Sequence, residues 1–290
     1  MRDSFQAVAQ SKVWQRDDPG LVGLLRSEQL YKSLSLLLAC KAGVHIPPSL
    51  LLLAPRRNLI AKFANECGYP LMIRVDYRSR PKAKPFGGVP LYSLDTIQHV
   101  CDDLVSRGCL PLFHPHLDRF QDIFSCGVLL TDQSLEVDVE IVGKGFDAGD
   151  LRLGRALPHE TLRLNLPRGS IERRAIIADD VYQGERAARA KFIRKLKAYS
   201  NFVNESATLL ADLAQFDFET FGTDGSELMI PARYEVMPSH QLEELVGIIR
   251  AIASDVLRFL PHSKVYVASL SYLPIEGWIL WDVYGDWYLR

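Results

Sequence analysis

The sequence has no apolar run long enough to cross a membrane: its longest, residues 34–40 and 50–54, fall far below the ~20 residues that a spanning helix needs. It also shows no apolar leader, because Arg2, Asp3, Lys12, Arg16, Asp17 and Asp18 interrupt the first twenty positions, so the chain reads as cytoplasmic. Charge of one sign is missing too. A formal net charge of −1 and a pI near 6.7 create no global field towards nucleic acid or an anionic membrane. Cysteine is sparse: Cys40, Cys67, Cys101, Cys109 and Cys126 are odd in number and contain no Cys-x-x-Cys pair, which excludes a disulfide framework and suits reduced, buried thiols. No His or carboxylate partner for a catalytic cysteine can be assigned. Neither His-Glu-x-x-His, a Ser-His-Asp signature, Gly-x-Gly-x-x-Gly nor Gly-Lys-Ser/Thr occurs, so the common hydrolase and phosphate-loop classes have no support. Internal repeats and low-complexity tracts are absent as well.

What is present is an ordinary globular balance, with 290 residues of which 48% are hydrophobic and 24% charged, enough for one compound domain or two closely packed lobes. Ser27 reads as the N-cap of a helix over 28–42, with Leu30, Leu34, Leu37 and Leu38 at helical spacing and Gly43 as its stop. An extended link over 44–48, a strand at 50–53, a helix at 57–67 stopped by Gly68 and a strand at 71–77 follow. Residues 78–89 are basic and rich in Pro and Gly, which predicts a surface loop. Helix 94–106, a strand at 110–114, paired strands at 125–131 and 135–142, helix 241–260 ended by Pro261, and strands 264–273 and 278–284 complete the pattern. Between them, 151–174 lacks a clear period and 179–216 reads as a charged helical stretch.

The order Tyr31-Lys32, apolar helix, Lys41-Ala42-Gly43, Ile46-Pro47-Pro48, helix, Gly68-Tyr69-Pro70-Leu71-Met72-Ile73-Arg74 resembles the opening of ATP-grasp enzymes. In that family an Asp-Lys pair begins the helix and a phosphate-contacting Lys ends the strand; here Tyr31 and Arg74 stand in those places. A guanidinium serves a phosphate well, because it is always charged and offers two hydrogen bonds at once. The pyruvate-phosphate dikinase branch, with an Arg at this strand end, is similar too. The resemblance implies an α/β (α+β), two-lobed fold: residues 1–27 as an extension, 28–115 as the first lobe and 116–290 as the second, with a helical insertion over about 151–216.

The resemblance further implies ATP and Mg²⁺ as cofactors, with phosphate contacts from Lys32, Arg74, Lys82 and Lys84 and a loop closing at Gly87-Gly88. Read without the resemblance, basic residues before Gly-Gly form a solvated turn. The metal-holding acid and Glu-x-Asn of the family correspond to Ser269 or Ser271 and to Asp282-Val283-Tyr284, which leaves Asp282 as the metal ligand, with Asp286, Glu276 or Glu140 as helpers. Arg74 and Lys144 are the candidate catalytic residues. Lys144 lies in Gly143-Lys144-Gly145-Phe146-Asp147, which matches no standard phosphate motif and reads first as a turn.

Three further patterns have plainer alternatives. His114 and His116 alternate as metal ligands would, but Pro115 between them favours an edge or a linker. The run of Arg186, Arg189, Lys191, Arg194, Lys195 and Lys197 is a polyanion patch or a solvated helix face. Trp278, Trp281, Tyr284, Trp287 and Tyr288 alternate as strand core residues or as a stacking platform. The activity expected is an ATP-dependent ligase or phosphotransferase that activates a carboxylate or similar small-molecule or peptide acceptor. The alternative is a non-catalytic nucleotide-binding or protein-interaction scaffold. A nucleic-acid partner is the least favoured, and no membrane partner is expected.

Overall fold

A computed structural model describes residues 19–51, 57–68, 71–77, 89–91, 93–106, 109–115, 124–131, 136–143, 148, 151, 158–176 and 237–285. These residues build helices and two antiparallel sheets, a mixed α/β architecture. The chain divides into two compact units and passes between them more than once, one crossing falling between Leu37 and Leu38, inside a helix.

The first unit opens with α1 (Pro19–Ser27) and α2 (Tyr31–Lys41). The expected single helix over 28–42 is broken, because Gln29 adopts φ 58° and reverses the chain. The N–H groups of Leu30 and Gln29 return to the carbonyls of Leu25 and Arg26, which closes α1 in a Schellman turn. Ser27 therefore ends a helix instead of starting one, and its Oγ donates to the Leu24 carbonyl at 2.9 Å. At the far end of α2 the expected stop is found: Gly43 has φ 80°, with Val44 N–H returned to Ala39 O at 2.9 Å.

A four-stranded antiparallel sheet of order β1-β4-β2-β3 follows, from β1 (Leu50–Leu51), β2 (Leu71–Tyr77), β3 (Val89–Leu91) and β4 (Cys109–Pro115). Helices α3 (Arg57–Cys67) and α4 (Leu94–Ser106) present Ile60, Phe63 and Ala64, and Ile97, Val100, Cys101 and Leu104, at the i, i+3, i+4, i+7 spacing of one helical face. Those residues pack with Leu71, Ile73 and Val75 of β2 and with Phe113 of β4 into one core. Strand periodicity puts Met72, Arg74 and Asp76 on the other face of β2.

The second unit is a six-stranded antiparallel sheet of order β10-β9-β5-β6-β7-β8, from β5 (Phe124–Thr131), β6 (Glu136–Gly143), β7 (Glu160–Asn165), β8 (Ser170–Ile176), β9 (Val265–Leu273) and β10 (Gly277–Gly285). Strands β7 and β8 occupy part of the stretch expected as a helical insertion. Alternation of buried Leu162 and Leu164 with Thr161, Arg163 and Asn165 is a period of two, hidden in the sequence by the surrounding arginines. The expected helix at 179–216 lies outside the described residues. Gly169, at the turn between β7 and β8, has φ 67°, and an added Cβ would sit 3.0 Å from the Arg250 guanidinium. Arg250 itself holds the Leu166 carbonyl through Nε at 2.8 Å.

Helix α5 (Ser239–Ala251) carries that arginine and continues through a π turn and a 3₁₀ turn to Phe259. The Trp278 Nε1–H donates to the Gln241 carbonyl at 2.9 Å, tying α5 to β10. The outer edge of β10 is met by the link after α2, where Leu280 N–H donates to His45 O at 2.9 Å. A Phe113→Ala substitution removes a fully buried ring from the first unit and is expected to cost about 3–5 kcal/mol, read as a lowered urea midpoint. A loss under about 1 kcal/mol would show that this core is not close-packed.

Candidate functional site

The corner between α2 and β2 gathers two of the expected phosphate contacts. A helix N-terminus leaves N–H groups unpaired and carries partial positive charge, so a carboxylate satisfies it well. Here the carboxylate comes from the sheet: Asp76 Oδ2 accepts the Ser33 N–H at 2.7 Å, and Asp76 is 4% exposed. The bond fixes the preceding residue, Lys32, whose buried amine donates to the Val75 carbonyl at 3.3 Å. Arg74 is the half-buried neighbour of Val75 and lies on the Asp76 face of β2. Lys32 and Asp76 thus come together near one strand end, and Arg74 shares the strand face of Asp76. Asp76 and Ser33 were missed in the sequence; the signal available was that Asp76 shares a strand face with Arg74, two residues away.

Lys82, Lys84, Gly87, Gly88 and Lys144 lie outside the described residues. The strand that leads to Lys144 is anchored at its end, since Gly143 N–H donates to Nδ1 of the fully buried His159 at 2.8 Å. His116 and the basic run 186–197 are also outside the described residues. His114 spends Nδ1 on Ser49 Oγ at 2.9 Å and sits buried on β4, so it behaves as a core histidine.

The expected metal ligand, Asp282, is on β10 and 2% exposed. The strand register fixes its neighbours: Asp282 pairs with Ser269, Ser269 with Gly127, and Gly127 with Glu140. Three inter-strand steps separate Asp282 from Glu140, about 14 Å. Mg²⁺ holds its oxygens at about 2.1 Å, so these two carboxylates do not share one ion. Glu276 precedes the far end of β10, about 20 Å along the strand at roughly 3.3 Å per residue. Asp286 lies outside the described residues.

Of the two serines expected where an acid would stand, Ser271 is bound to its neighbours. A bulge between Leu280 and Asp282 lets Trp281 Nε1–H donate to Ser271 Oγ at 3.0 Å, and Ser271 Oγ lies 2.9 Å from Ser125 Oγ. Trp281 is half-buried and spends its indole N–H on that serine. Among the described residues no three His, Cys, Asp or Glu side chains are placed to hold a metal. Among the described residues, then, a cation at Asp282 would gain no second carboxylate from Glu140 or Glu276.

Burial keeps three of the thiols, Cys67, Cys101 and Cys126, protonated. Burial, then the Asp102 carboxylate, pushes Cys101 from 9.0 up to about 12. Burial, then Glu66, pushes Cys67 up to about 11, and burial raises Cys126 as well. A site of a different kind lies within the second unit, a groove of about 600 Å³ bounded by the link after α2, one face of α5 and the turn from β9 to β10.

No protein-family model matches the sequence, and no curated protein matches it. Solved structures do. Several of the solved structures that the chain resembles are ATP-grasp proteins. Carboxyaminoimidazole ribonucleotide synthase from Aspergillus clavatus, complexed with ATP, is 11% identical with a TM-score of 0.41, covering 88% of this chain and 44% of its own. D-Alanine-D-alanine ligase from Helicobacter pylori is 8% identical with a TM-score of 0.42, covering 92% and 61%. PH1788 from Pyrococcus horikoshii Ot3 is 12% identical with a TM-score of 0.44, covering 90% and 95%. The chain spans less than half the length of the first of these. TM-scores under 0.5 at such identities assign neither an activity nor any residue's role.

Two outcomes are expected. Manganese(II) added to the protein without nucleotide should keep its free-ion magnetic resonance signal, in wild type and in Asp282→Asn alike; one tight ion lost on substitution would restore Asp282 as a ligand. The folded protein holds its thiol protons to about pH 11–12, whereas unfolded thiols ionise near 9.0. Stability is therefore intact below about pH 9 and falls as pH rises towards 12, and urea midpoints should fall less steeply in Cys101→Ala.

Proposed function

We propose that this chain binds ATP through the α2–β2 corner, in the manner of an ATP-grasp protein, with Lys32 and Arg74 as phosphate contacts. One observation carries this reading: Lys32 and Val75, 43 residues apart, are joined by a hydrogen bond that sets the Lys32 amine beside the residue following Arg74. Cations in that position neutralise phosphate charge, and phosphoryl transfer depends mainly on such electrostatic stabilisation and on positioning. Lys82, Lys84 and the Gly87-Gly88 tip would close over the phosphates, and Lys144 would contact the acceptor or a phosphate. On this reading the activity is that of an ATP-dependent ligase or phosphotransferase that activates a carboxylate or similar acceptor.

The second reading, a nucleotide-binding scaffold without catalysis, is favoured by the donor set of β9 and β10. Those strands set Asp282 opposite Ser269, and the next serine of that strand face, Ser271, is already bonded to Ser125 and Trp281.

Thermal unfolding with ATP, with and without Mg²⁺, tests binding. A ligand at a hundredfold excess over its dissociation constant adds about 2.7 kcal/mol to the folded state. The wild type is expected to gain a clear shift that Arg74→Ala loses; no shift at millimolar ATP overturns the proposal. Release of ADP or phosphate with a bound nucleotide selects the ligase reading, and binding without turnover selects the scaffold.

A further inference from the structure

The groove in the second unit belongs to neither the α2–β2 corner nor the Asp282 row. One wall is a single face of α5, where Glu244, Gly247, Ile248 and Ala251 follow i, i+3, i+4, i+7 spacing. The opposite lip is the β9–β10 turn, whose Ile275 is 91% exposed. The link after α2 closes one end, fixed by His45, whose ring Nδ1 lies 3.2 Å from the Glu276 carbonyl oxygen.

Gly247 is the residue that the fold does not account for. Gly43 and Gly277 also line the groove, but their φ values of 80° and 74° require glycine. Gly247 sits inside a regular helix, where glycine is roughly 1 kcal/mol less favourable than alanine, and an added Cβ would meet nothing within 4 Å. No close packing demands it; its effect is to leave the groove wall open.

Charge and length narrow the occupant. The charged lining residues are Glu244 and Glu276, with no Lys or Arg among them, and neither carboxylate is in an ion pair with a described residue. Beside them Val44, Ile248, Ala251 and Ile275 add apolar groups to the lining. From Glu244 to Ala251 the helix wall runs about 10 Å, the span of three extended residues. We infer that this groove binds an extended peptide segment in which a lysine or arginine stands beside apolar residues, its cation held by Glu244 and Glu276 and its apolar side chains resting over Gly247 and against Ile275.

Calorimetric titration of the full chain with two blocked pentapeptides, Leu-Lys-Leu-Lys-Leu and Leu-Glu-Leu-Glu-Leu, tests the site without nucleotide. The lysine peptide should bind saturably, and the glutamate peptide at least tenfold more weakly. Gly247→Leu should lose at least tenfold in affinity for the lysine peptide while its melting temperature is unchanged or raised, because leucine is the better helix former. If that variant misfolds, Glu244→Lys on the exposed helix face tests the same pairing and should lose binding equally. Equal affinity for both peptides, no saturable binding at millimolar lysine peptide, or wild-type affinity in a folded variant overturns the inference.

Discussion

A buried carboxylate at a helix end organises the first unit. Asp76 sits in the last turns of chain before β2 ends, yet its partner is the N–H of Ser33 at the start of α2, 43 residues earlier in the sequence. Unpaired, a buried carboxylate and a buried helix N-terminus each carry a desolvation cost; together they cancel most of it and add the attraction of the helix dipole. The pairing sets the rotation of α2, and with it the position of Lys32 against the Val75 carbonyl. Arg74 then falls on the same strand face without further adjustment. The candidate phosphate site is a by-product of capping one helix from a distant strand.

The second unit is governed by the two faces of one sheet. Cys126, Val128, Val139, Ile141, Leu162, Leu164, Ala268 and Leu270 alternate into an apolar face, and Trp278 joins α5 to β10 through its indole hydrogen bond. The intervening positions form rows across the sheet that mix Asp282, Ser269, Gly127 and Glu140. A row with an acid at each end and two small residues between spaces those two charges too widely to share one cation. At the β10 bulge the extra residue, Trp281, hydrogen-bonds Ser271 on the neighbouring strand.

Much of the architecture was legible in the residues themselves. Ile60, Phe63 and Ala64, and Ile97, Val100, Cys101 and Leu104, announce their helices by spacing, and Gly43 and Gly68 announce where helices stop. Strands β2, β4, β5, β6, β9 and β10 were legible from apolar content and flanking turn residues. The break at Gln29 was not, since a non-glycine residue at positive φ has no local marker. Strands β7 and β8 were obscured by arginines whose partners, such as Asp138 for Arg163, lie on another strand.

The site divides along the same line. Sequence alone determined the residue types available, the order of elements that resembles ATP-grasp proteins, and the presence of Ser269 and Ser271 where that resemblance leads one to expect an acid, because these are properties of a linear chain. Tertiary structure alone decided that Asp76 caps α2, that Lys32 reaches Val75, that Asp282 and Glu140 stand three strands apart, and that Gly247 opens a groove beside two glutamates. Each of those depends on strand register or helix rotation, which arise from burying one face of an element against partners distant in sequence.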